Sequence, residues 1–160
     1  MTAYSFRPMT AADLPLVQRW LQQPHVVEWW GDPDEQYRLV SGDLDEAAMD
    51  QFIVSIGGRD FGYIQCYDLS DWNSGFGAHP KGTRGIDQFI GEPDMVDRGH
   101  GSAFIRAFIE RTLANGAPRV VTDPDPVNAR AVRAYEKAGF ARAGLVDTPD
   151  GIALLMVRDA

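Results

Sequence analysis

The residues best suited to chemistry lie in two separated segments. The first, MVDRGHGSAFIRAFI (Met95–Ile109), places Arg98, Gly99, His100, Gly101 and Ser102 directly before an apolar amphipathic run. A helix start normally carries a capping side chain, and glycine is a costly way to begin one. Bare backbone there lets the unpaired N–H groups of the first turn point outward, where the helix dipole adds partial positive charge. The chemistry expected is capture of an anion such as a phosphate or pyrophosphate. A mere tight turn is the competing reading. No Gly-Lys-Ser/Thr follows, which excludes a Walker loop, and Phe104 stands where a dinucleotide fingerprint needs its last glycine.

The second segment is TDPDPVNARAVRAYEKAGF (Thr122–Phe140), in which Asn128, Ala131, Val132 and Tyr135 are spaced to share one helical face. An amide and a phenol are thereby brought to one side of a helix, just after a strand. Packing of Tyr135 and helix capping by Asn128 are the structural alternatives. Asp123 and Asp125 flank Pro124 at the end of that strand, where open α/β sheets place their ligand sites, and the prolines stiffen the loop.

The elements that must position these residues follow from periodicity and turn signals. YSFRPM reads as a strand, and TAADLPLVQRWLQQ as a helix with Thr10 as candidate N-cap and Asp13 three residues on, close to a capping box. HVVEWWGDPDEQYRLVSG is a second helical region broken at Gly31–Pro33. QFIVSIGGRDFGYIQCYDL is a hairpin about Gly57–Gly58, and TRGIDQFIG is another strand. A helix from Gly101 to Leu113, the strand RVVTD, a helix ending at Gly139, and two strands around TPDG complete the chain. The order β-α-α-β-β-β-α-β-α-β-β describes a mixed α/β domain, a single domain over residues 1–160, with a central sheet and helices on both faces.

Composition sets outer limits. The 160 residues are 44% hydrophobic, sufficient for a real core. The net charge of −8 disfavours nucleic acid as a partner and is compatible with a cationic ligand, although solubility alone also accounts for it. The single cysteine, Cys66, allows no internal disulfide and reads as a packing residue. No apolar run has membrane-spanning length and MTAYSFRPMT lacks a signal pattern, so a cytoplasmic location is expected. His25, His79 and His100 do not have metal-ligand spacing, so no metal site is expected. DLDEAAMD (Asp43–Asp50) reads as a solvated acidic segment, with attraction of a cation as the alternative.

RGHGSAF and NARAVRAYEKAGF, in this order and spacing, resemble the GCN5-related N-acetyltransferases (GNAT), which use acetyl-coenzyme A. HVVEWWG, RGIDQFIG, TDPDPVNARAVRAYEKAGF and TPDG narrow the likeness to the aminoglycoside 6′-N-acetyltransferases. The resemblance implies a mostly antiparallel sheet splayed between strands 4 and 5. The pantetheine arm would pair with Phe89, Ile90 and Gly91, and the pyrophosphate would sit on Arg98 to Ser102. In the family this loop commonly begins with Gln or Arg; Val96 occupies that position here, so its side-chain contribution is absent.

The resemblance also implies direct attack by an amine on the acetyl carbonyl. Asp87 matches the family's proton acceptor, backbone near Phe89 or Ile90 supplies the oxyanion donor, Tyr135 protonates the leaving thiolate, and Asn128 holds the coenzyme. A salt bridge to Arg84 or a solvated turn is the structural alternative for Asp87. An aminoglycoside is a polycation with sugar rings, so carboxylates and aromatic faces suit it. The candidates are Trp29, Trp30, Asp32, Trp72, Asp87, Asp123 and Asp125. Trp29–Trp30 reads alternatively as a core pair, whereas Trp72, in the polar loop DLSDWNSGFG, reads as an exposed binding surface. The alternatives in function are an acetyltransferase for another amine (a siderophore precursor, a polyamine or a protein N-terminus) and a non-catalytic acyl-coenzyme A binder. A monomer or weak homodimer is expected.

Overall fold

The computed structural model describes residues 3–72 and 75–160. Its elements run β1 (Tyr4–Pro8), α1 (Leu14–Leu21), α2 (Pro24–Trp30), α3 (Pro33–Gly42), β2 (Met49–Ile56), β3 (Arg59–Asp68), β4 (Arg84–Ile90), α4 (His100–Ala114), β5 (Arg119–Thr122), α5 (Ala129–Lys137), β6 (Ala141–Thr148) and β7 (Gly151–Asp159). The hydrogen-bonded strand order is β1-β2-β3-β4-β5-β7-β6. Pairing is antiparallel for β1–β2, β5–β7 and β6–β7, and parallel for β4–β5. The β4–β5 ladder covers only Arg84↔Val120 and Gly85↔Val121. Beyond it the Thr122 hydroxyl, not a backbone group, donates to the Ile86 carbonyl at 3.3 Å. The mixed α/β fold read from the sequence is the fold observed, with one helix more: Gly31, at φ 89°, ends α2, and Pro33 opens α3. Among the described residues no helix is long and apolar enough to cross a membrane.

The chain divides into two compact units. The first runs through Cys66 and resumes over Asp87–Gly101. Its core gathers Met9, Val17, Trp20, Leu21, Val26, Val40, Ile53, Tyr63 and Phe89. Each large apolar side chain buried there contributes roughly 1.5–3 kcal/mol. The α1 face is set by Val17 and Leu21 four apart, with Trp20 beside them, and all three are buried. The Asp13 carboxylate accepts from the Thr10 backbone N–H at 3.0 Å and holds the entry to α1. Gly57 and Gly58, at φ 56° and 81°, make the tight β2–β3 turn that the sequence signals.

The second unit takes Tyr67–Ile86 and Ser102–Ala160. Phe104, Ile105, Phe108 and Ile109 form the buried stripe of α4, and Val132 and Tyr135 that of α5. Gly139, at φ 99°, closes α5, and Phe140 turns back so that its ring meets Tyr135 edge-on, centroids 5.5 Å apart. Cys66, in the first unit, is buried and in no disulfide.

Candidate active site

In the first unit, β3 and β4 carry the groups around Asp87. Asp87 is half-buried, and its Oδ2 accepts from Gln65 Nε2 at 3.0 Å. The Gln65 amide oxygen accepts from the Tyr63 hydroxyl at 2.7 Å, and the Tyr63 oxygen accepts from Gln51 Nε2 at 3.0 Å. Burial pushes the Tyr63 phenol far above its ordinary range, so it stays neutral. None of Gln51, Tyr63 and Gln65 stood out in the sequence. Side chains meeting across strands depend on register, which composition and alternation within one strand do not reveal.

Aromatic rings wall this region. Phe89 stacks on Tyr63 with centroids 5.4 Å apart and meets Trp30 edge-on at 5.1 Å and Trp20 at 6.2 Å. The two adjacent tryptophans therefore divide: Trp30 is packed against the cluster, while Trp29 is 41% exposed. The side chain of Phe89 belongs to the core, which leaves its backbone for other tasks.

The end of β4 is asymmetric. The Gly91 N–H donates to the Phe61 carbonyl on β3 at 2.8 Å. Strand alternation turns the polar groups of Ile90 to the opposite edge, where His25 Nε2 donates to the Ile90 carbonyl at 2.8 Å. Of Phe89, Ile90 and Gly91, Ile90 is thus the residue whose backbone faces away from β3. Asp32 is exposed and accepts from the Glu35 N–H at 2.9 Å, so it serves as the N-cap of α3. Asp43 is not the solvated residue expected of DLDEAAMD. It is half-buried, and burial, then the charge of Glu46, pushes its carboxyl above the ordinary range.

The glycine loop follows. Asp97 takes a left-handed conformation at φ 60°, which the sequence did not signal, and Gly99 follows at φ 81°. A Cβ at Gly99 would meet nothing within 4 Å, and one at Gly101 would meet only Ile90 Cδ1 at 3.9 Å. The backbone is thus open to close approach where α4 begins, one residue earlier than expected, at His100. Arg98 is exposed beside it and Val96 half-buried. His100 Nδ1 lies 2.9 Å from the Tyr4 hydroxyl, tying β1 to the loop. These groups suit a diphosphate: amide donors, an open surface and one cation.

In the second unit, α4 continues from Ser102, and Asn128 caps α5, its Oδ1 accepting from the Ala131 N–H at 3.2 Å. Tyr135 is 5% exposed, on the same face as Val132. Asp123 is half-buried; Asp125 is exposed and accepts from the Val127 N–H at 3.0 Å, closing the turn before α5. Trp72 departs from the exposed surface expected of its loop. It is half-buried, edge-on to Tyr67 with centroids 6.2 Å apart, because a large ring beside a strand recovers buried area. Asn73 and Ser74 of that loop lie outside the described residues.

Comparison with known proteins bears on this arrangement. The family model described as "Acetyltransferase (GNAT) domain" matches residues 9–148. The aminoglycoside N(6′)-acetyltransferase type 1 of Klebsiella pneumoniae is 36% identical over 166 residues, covering 96% of this chain and 82% of the relative. A structure of AAC(6′)-Ib containing acetyl-CoA superposes with a TM-score of 0.87 at 35% identity, covering 98% of this chain and 93% of the other. A second, of AAC(6′)-Ib with coenzyme A and kanamycin, gives 0.85 at 36% identity, covering 98% and 95%. On the matched family model, the shared fold and the identity along nearly its whole length, the chain belongs to the GNAT acetyltransferases.

Proposed function

We propose that this enzyme transfers the acetyl group of acetyl-CoA to the 6′-amine of an aminoglycoside. The observation that carries the reading is the 36% identity, over 96% of the chain, to an aminoglycoside N(6′)-acetyltransferase. Acetyl-CoA supplies the activated acetyl group as a thioester. Asp87 takes the proton from the substrate ammonium, so that the amine nitrogen can attack the acetyl carbon. The new N–C bond forms as the C–S bond breaks, and the nitrogen gives its second proton to solvent, leaving the neutral amide. The Ile90 N–H, on the edge of β4 turned away from β3, donates to the carbonyl oxygen as charge grows there. Tyr135 gives its proton to the departing thiolate and regains one from solvent.

The coenzyme's diphosphate lies on Arg98, Gly99, His100, Gly101 and Ser102, with Val96 contributing backbone only. Phe89, Ile90 and Gly91 line the pantetheine arm, and Asn128 faces the coenzyme from α5. Trp29, Trp30 and Trp72 offer faces to the sugar rings, while Asp32, Asp123 and Asp125 draw the remaining ammonium groups.

The test follows thiol release from acetyl-CoA with kanamycin, and locates the new acetamide by NMR. Saturable turnover at the 6′ nitrogen is expected, with kcat falling about 100-fold or more in Asp87→Asn and less steeply in Tyr135→Phe. A protein that binds acetyl-CoA yet acetylates no aminoglycoside loses the substrate assignment and keeps the family.

A further inference from the structure

Four side chains make a one-way hydrogen-bonded relay that ends on Asp87. It starts at a backbone carbonyl. Val40 O can only accept, so Gln51 must present its NH2 group to it, at 2.8 Å. The same nitrogen lies 3.0 Å from the Tyr63 oxygen, which leaves the single Tyr63 proton for another acceptor. Gln65 Oε1, at 2.7 Å, takes it. The Gln65 amide is thereby oriented, oxygen toward Tyr63 and NH2 toward Asp87 Oδ2 at 3.0 Å. Gln51 is 7% exposed and Tyr63 fully buried, so water does not compete for the inner links.

We propose that Tyr63 and Gln65 are positioning residues for acetyl transfer, holding the Asp87 carboxylate as a hydrogen-bond acceptor aimed at the substrate amine. The proposal rests on the reading of Asp87 as the proton acceptor. A donor held against the carboxylate favours its ionised form, the form in which a base must begin. If the Gln65 amide turned over, its oxygen would face the carboxylate and repel it. The Tyr63 hydroxyl prevents that turn. Tyr63 also packs on Phe89 and Trp30, and the phenylalanine variant keeps that packing while removing the hydroxyl.

The experiment is a kinetic cycle with acetyl-CoA and kanamycin on Tyr63→Phe, Gln65→Met, the double variant and Asp87→Asn. Gln65→Met is expected to lower kcat about 10-fold and Tyr63→Phe about 3- to 10-fold, with the KM for acetyl-CoA within about twofold of the parent. The double variant should be no slower than Gln65→Met alone, because Tyr63 acts through Gln65. Multiplying losses would overturn the relay, as would parental kcat in both single variants. Parental kcat in Gln65→Met beside an inactive Asp87→Asn removes the relay alone. Parental kcat in Asp87→Asn removes the base assignment, and the relay's role with it.

Discussion

His25 on α2 holds the last carbonyl of β4: its Nε2 donates to Ile90 O at 2.8 Å. This bond lies on the edge of β4 turned away from β3, the edge assigned above to the coenzyme arm and the oxyanion donor. A strand end with an unanchored carbonyl can rotate its peptide and misdirect the neighbouring N–H. His25→Ala is therefore expected to cost about 1 kcal/mol of stability. It should also raise the KM for acetyl-CoA several-fold. Urea unfolding and initial rates measured side by side check both, and an unchanged KM would confine His25 to the fold.

Gly91 is a question of space. A Cβ there would overlap the indole ring of Trp20, which is fully buried and whose Nε1 donates to Glu92 Oε1 at 3.1 Å. The ring has no alternative place. Gly91→Ala should therefore destabilise by about 1–3 kcal/mol, the range for overpacking a filled core. Gly99→Ala, with open space around it, should show only the smaller cost of its left-handed backbone. Equal losses of melting temperature in the two variants would contradict this account.

Acid sensitivity should centre on Asp13. Arg7 grips both its oxygens at 2.9 Å, and this, more than any other contact, holds the Asp13 carboxyl below the ordinary carboxylate range. A pKa depressed in the folded state means stability that is full above the unfolded value, about 3.9, and is lost as pH falls through the folded one. Arg7 is 43% exposed, so solvent screens the pair and about 1 kcal/mol is the expected size. Asp13→Asn should be less stable at pH 7, and the gap should narrow as pH drops below about 4. A gap constant with pH would mean that the ion pair is not its source.

Local rules carried much of this molecule. Asn128 as a helix cap, Gly57–Gly58 as a turn and Gly139 as a helix end each depend on a few neighbouring residues, and each was legible. The glycines at 99 and 101 likewise announced bare backbone. The relay behind Asp87 was not legible, because Gln51, Tyr63 and Gln65 gain meaning only when β2, β3 and β4 are in register. The division of Trp29 from Trp30 was hidden for a related reason: α2 ends at Gly31, just after them, and which ring turns inward depends on the core it meets. Asp97 was missed because its left-handed backbone is imposed by the turn into α4, not by its residue type.

Asn128 separates a structural task from a proposed chemical one. Its Oδ1 caps α5 by accepting from the Ala131 N–H at 3.2 Å, and it is also assigned a contact with the coenzyme. Asn128→Ala removes both and should cost about 1 kcal/mol of stability along with weaker acetyl-CoA binding. Asn128→Asp keeps a capping oxygen, and at a helix N-terminus its negative charge is favourable. That charge removes the amide donor and opposes the anionic coenzyme. The aspartate variant should therefore retain parental stability while its KM for acetyl-CoA rises about 10-fold. Isothermal titration with coenzyme A, beside thermal unfolding, reads the two effects independently. Parental affinity in Asn128→Asp would leave the cap as the whole of the residue's role.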